Sequence, residues 1–146
     1  MRLLLDTHIF LWFISGDAKL PDGWRDSIRD PEHDVYVSVV SLWEAIVKHQ
    51  LGKLSLPQPP EHYLPAQRVR HQLASLCLDE ASVRHLASLP PIHRDPFDRM
   101  LICQAIYGLK DLPSVCQSQP AASSSSNAAN RPPRRLSSSG GPTSTI

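Results

Sequence analysis

An α/β fold with a parallel sheet is what this sequence predicts, and three observations carry that prediction. Arg2 to Leu5 and Val35 to Val40 are short apolar or β-branched runs between polar flanks, the pattern of strands buried on both faces. Each run passes at once into a segment of helical period, His8 to Ser15 and Leu42 to Gln50. Isolated acids fall where those runs end, and in open α/β sheets ligands gather outside the carboxyl ends of strands.

With 146 residues, 41% of them hydrophobic, the chain can build one domain with a proper core. No apolar run reaches membrane-spanning length, and Asp6 interrupts the N-terminal run too soon for a signal-peptide core. The three cysteines (Cys77, Cys103, Cys116) lack metal-ligand spacing and fit a reduced, cytoplasmic setting. The net charge of +1 hides an asymmetry. All 14 acids lie at or before Asp111, whereas three of the 15 basic residues (Arg131, Arg134, Arg135) lie after it, leaving residues 1–111 at −2. Bulk charge therefore does not announce a nucleic-acid binder.

In chain order, Asp6 and Thr7 close the first strand, and Thr7 is placed to cap the helix that Gly16 stops. Leu20 to Arg29 reads as a short amphipathic helix, and Val35 to Val40 as the second strand. Ser41-Leu42-Trp43-Glu44 matches the Ser-x-x-Glu capping box, which gives Glu44 an ordinary structural role. Lys48, His49 and Lys53 read as a solvated helix end. Glu61 to Leu73 forms the next helix, Ser75 to Leu78 a short strand, and Asp79 caps a small helix through Leu86. Asp95 is a good N-cap, Pro96 sits at the favoured first position, and Asp98 falls at N3 of a helix running to about Tyr107. Residues 112–146 are Ser- and Pro-rich without a single acid, a composition that predicts a disordered tail.

Asp6, Glu44, Asp95 and Asp98 each have a capping or helix-dipole explanation. Grouped at one sheet edge, they would repel unless a cation sat among them, and Mg²⁺ or Mn²⁺ prefers such oxygen ligands. A metal so held activates water against a phosphodiester.

Leu3-Leu4-Leu5-Asp6-Thr7-His8-Ile9-Phe10-Leu11-Trp12, Ser41-Leu42-Trp43-Glu44, Gly52-Lys53-Leu54, Leu89-Pro90-Pro91-Ile92-His93-Arg94-Asp95-Pro96-Phe97-Asp98-Arg99 and Ile102-Cys103-Gln104-Ala105 resemble the PIN-domain family. More narrowly, they are similar to the VapC-like toxin ribonucleases of bacterial type II toxin–antitoxin pairs. The resemblance covers about residues 1–109. It implies a small α/β/α sandwich around a central parallel sheet and a Mg²⁺- or Mn²⁺-dependent endoribonuclease. An RNA substrate, a cognate antitoxin and a homodimer come with it. Asp6, Glu44 and Asp98 would be the metal-site carboxylates, with Asp95 an adjoining acid. The family pattern would continue from Gly108-Leu109 into a strand ending in Thr-x-Asp. Here Lys110-Asp111-Leu112-Pro113-Ser114 follows instead. The expectation is a PIN-like domain over 1–111 whose last strand is missing, then the tail. Two alternatives stay open: a catalytically impaired, antitoxin-binding remnant, and a non-nuclease metal-binding scaffold.

Overall fold

A computed structural model describes residues 1–92, 94–110 and 143–145. Its first strand, β1 (Arg2–Leu5), is the expected apolar run, and α1 (Thr7–Ser15) follows after the single residue Asp6. Gly16 ends α1 in the left-handed region at φ 69°, where a side chain would be strained. Next come α2 (Asp22–Arg29), β2 (Asp34–Ser38), α3 (Val39–Gln50), α4 (Pro60–Arg70), β3 (Ala74–Leu76), α5 (Glu80–His85) and α6 (Pro96–Cys103). A π-helical turn over Gln104–Gly108 continues α6.

All pairings are parallel, in the order β3-β2-β1-β4, with β4 the segment Thr143–Thr145. Leu3 faces Val35 and Leu5 faces Val37 across the β1–β2 register. Because side chains alternate along a strand, β1 and β2 feed two cores. Leu3, Leu5, Val35 and Val37 pack with Ile9, Phe10 and Phe13 of α1, Ile28, Ala45 and Leu64. On the opposite face, Leu4 and Tyr36 pack with Val40, Leu76, Met100, Leu101, Cys103 and Leu109. Helices thus cover both faces of a parallel sheet, which is the α/β/α sandwich the sequence predicts.

Two local expectations are corrected. The apolar run from Val35 ends as strand at Ser38, and Val39 and Val40 are already helical. Ser38, not Ser41, is the N-cap, its Oγ accepting the Val40 N–H at 3.0 Å. Glu44 therefore lies in the second turn of α3, and the capping-box role falls away.

Most of the expected tail lies outside the described residues. Thr143–Thr145 differs from that expectation, pairing alongside β1 with Arg2 opposite Thr143. The edge of β1 offers unpaired backbone groups, and a Thr-Ser-Thr segment suits a strand. No acid follows Asp111, so β4 brings no carboxylate to the sheet edge.

Candidate metal centre

The carboxyl ends of β1 and β2 and the N-terminus of α6 supply the four acids. Asp6 directly follows β1, in extended backbone at φ −63°, ψ 152°, and its side chain caps nothing. Its carboxylate is 30% exposed and lies 3.6 Å from His8 Nδ1. Glu44 is fully buried. A buried carboxylate needs partners, and Glu44 has two: Thr7 Oγ1 donates to Oε2 at 2.5 Å, and Lys48 Nζ pairs with Oε1 at 2.5 Å. Asp95 is the N-cap of α6, as the sequence predicts, its Oδ1 accepting the Phe97 N–H at 2.8 Å and the Asp98 N–H at 3.4 Å. That cap holds the first turn and sets Asp98 at its third position.

Carboxylate oxygens of Glu44, Asp95 and Asp98 lie within 4.8 Å of one another. Asp6 stands outside this tight trio, yet its charge still reaches Asp98. Burial pushes the Asp98 carboxyl above its usual range, and the charges of Asp95, Asp6 and Glu44 push it further. Burial opposes the charged form of Lys48. Even so, its hydrogen bond to Glu44 and the charges of Glu44, Asp95 and Asp98 hold the ammonium above its ordinary value.

The trio offers only hard oxygen donors, crowded beyond what one lysine neutralises. That donor set fits a divalent cation such as Mg²⁺ or Mn²⁺, which takes one or two carboxylates and keeps several waters. Zinc is a poorer match, for among the described residues no Cys or His ligand joins the group.

Three supporting residues escape a sequence reading. Thr7 looks like a helix cap but is buried against Glu44. Lys48 looks solvated, although its i,i+4 spacing from Glu44 is a usable signal. Gln104 is fully buried, accepting from the Ser38 hydroxyl and donating to the Cys77 carbonyl at 3.0 Å. This network ties the end of β2 to the helix that carries Asp98.

The PIN domain family pattern matches residues 3–108. Among curated proteins the chain is similar to Ribonuclease VapC16 of Mycobacterium tuberculosis (strain ATCC 25618 / H37Rv). The two are 31% identical over 61 residues, or 42% of this chain and 43% of the relative. The matched part thus spans less than half of that protein.

Proposed function

Because the chain belongs to the PIN domain family, we propose that it is a Mg²⁺- or Mn²⁺-dependent endoribonuclease, the toxin of a type II toxin–antitoxin pair. The observation that carries this reading is the trio of carboxylates within 4.8 Å at the carboxyl edge of a parallel sheet, one of them with a raised pKa. Clustered acids at a ligand-binding edge are a poor choice for stability alone. In a metal-dependent nuclease they are the working parts.

Asp98 and Glu44 would hold the cation, with Asp95 beside them and Asp6 completing the negative edge from β1. The ion, when bound, lowers the pKa of a coordinated water and offsets charge developing on the phosphodiester. Thr7 and Lys48 fix the Glu44 carboxylate so that it need not reorganise when charge develops. Asp95 keeps its cap and so fixes the direction of Asp98.

The substrate is RNA and the further partners are a cognate antitoxin and a second copy of the chain, in a cytoplasmic setting. Among the described residues, no helix is long and apolar enough to cross a membrane. The competing reading is an antitoxin-binding remnant with impaired catalysis, favoured by the absence of any acid after Asp111. The deciding experiment measures cleavage of a cellular RNA pool with Mg²⁺ or EDTA, by the parent and by Asp98→Asn. Mg²⁺-dependent cleavage lost in the variant supports the nuclease. Antitoxin binding without cleavage by either protein supports the remnant.

A further inference from the structure

Trp43 precedes Glu44 on α3, and Phe97 precedes Asp98 on α6. Their rings meet edge to face, with centroids 4.8 Å apart and planes at 81°. This aromatic pair therefore joins the same two elements that bring carboxylates together. Glu44 is fully buried, yet its neighbour Trp43 is 55% exposed. Phe97 holds the indole in an orientation that aromatic pairs favour while much of the indole stays in water. Among the described residues, Trp43 is the one large apolar side chain on α3 or α6 that is both exposed and locked against another ring.

Resting on the nuclease reading, we propose that Trp43, braced by Phe97, is a stacking platform for an unpaired nucleobase of the RNA, next to the phosphodiester that the carboxylates address. Size decides between a base and a second protein surface. A half-exposed indole presents only part of the roughly 150–250 Å² of an aromatic side chain, whereas a stable protein contact needs roughly 800 Å² on each partner. A single fixed aromatic face matches a single base. The ring pair and the acidic trio bridge the same two helices, Trp43 beside Glu44 on α3 and Phe97 beside Asp98 on α6, so a base stacked on Trp43 lies within a nucleotide's reach of the carboxylates. A base inside a duplex has no free face, so the platform engages the RNA only where a base is unpaired.

The test uses intrinsic fluorescence as well as activity. The chain has three tryptophans, so Trp12→Phe with Trp24→Phe leaves Trp43 as the sole indole. Titration with a short single-stranded oligoribonucleotide in Ca²⁺ quenches its emission, and a blunt duplex of the same sequence does not. In the parent background, Trp43→Ala weakens single-strand binding by about 5- to 150-fold, the range of one base–aromatic stack. Trp43→Tyr keeps most of the affinity, and in Mg²⁺ the alanine variant raises KM with kcat little changed. Because Trp43 is half exposed, its removal leaves the core intact, which a thermal melt checks. Unchanged affinity in Trp43→Ala, or no single-strand binding by the parent, overturns the platform. A Trp43→Ala shift from dimer to monomer in sedimentation, with emission unaffected by RNA, overturns it in favour of a contact between copies. Failure of the nuclease reading has a separate signature: Mg²⁺ then changes neither cleavage nor thermal stability, and Asp98→Asn matches the parent. That result overturns the platform too.

Discussion

Removing the charge of Asp98 stabilises the metal-free protein. Two unit charges 4.8 Å apart, the span of the acidic trio, repel by about 0.9 kcal/mol at a water-like dielectric constant and about 3.5 kcal/mol at an effective value near 20. Asp98 is only half-buried, and Lys48 already neutralises much of Glu44, so the lower end governs. Against this, Asp98→Asn forfeits about 0.3–1 kcal/mol of attraction to the N-terminus of α6. With Asp95 and Glu44 both repelling, the variant gains about 1 kcal/mol at neutral pH. For a domain of this size that raises Tm by about 3–4 °C.

The sign with pH is fixed by the raised carboxyl of Asp98. Its folded pKa exceeds the unfolded value, so the native state keeps the proton to higher pH. The penalty is absent below the unfolded value near 4, grows as pH rises through the window up to the folded value, and is complete above it. Melts in EDTA from pH 4 to 8 therefore show this part of the slope in the parent and not in Asp98→Asn. If Asp98 is a metal ligand, as proposed, saturating Mg²⁺ reverses the ranking, since an ion at 100 times its Kd stabilises by about 2.7 kcal/mol and the variant would lack that ligand. Asp98→Asn less stable than the parent in EDTA, with equal Mg²⁺ gains in both, would refute the reasoning.

Lys48→Met leaves the buried Glu44 charge without its cation and lowers stability by about 3 kcal/mol, measured by urea unfolding. Adding Glu44→Gln recovers much of that loss. Ser38→Ala removes both the α3 cap and the Gln104 partner and destabilises by about 2 kcal/mol, again read by urea. Asp79→Ala removes the α5 cap, whose Oδ1 accepts the Ser82 N–H at 2.8 Å, and lowers stability by about 1 kcal/mol. Hydrogen bonds from Ser82 depress the Asp79 carboxyl. Its contribution is therefore present above the ordinary carboxylate range and lost as pH falls through the depressed value, a dependence opposite to that of Asp98 and visible in acid titrations.

What the sequence reveals and what it hides divide along the range of the interactions. Gly16 stopping α1, Asp95 capping α6 and Asp79 capping α5 involve neighbours within a few residues, so residue type and order suffice. The start of α3 defeats that reading because Val39 and Val40 prolong a β-branched run. Strand ends where its neighbour ends, and β3 offers Leu76 opposite Ser38 as its last pairing. Moving the cap to Ser38 buries Ser41 inside the helix, with its Oγ unpartnered among the described residues, and frees Glu44 from any capping duty. The same one-turn shift in α3 sends Glu44 toward Thr7, 37 residues away. Ser38 finds Gln104 across 66 residues, and β4 reaches back to the first strand. None of these pairs has a local signature. The acids themselves were legible because strand ends and helix starts announce them. Their mutual distances depend on long-range packing, which is why Asp95 joins the tight trio and Asp6, the most obvious candidate by position, stands just outside it.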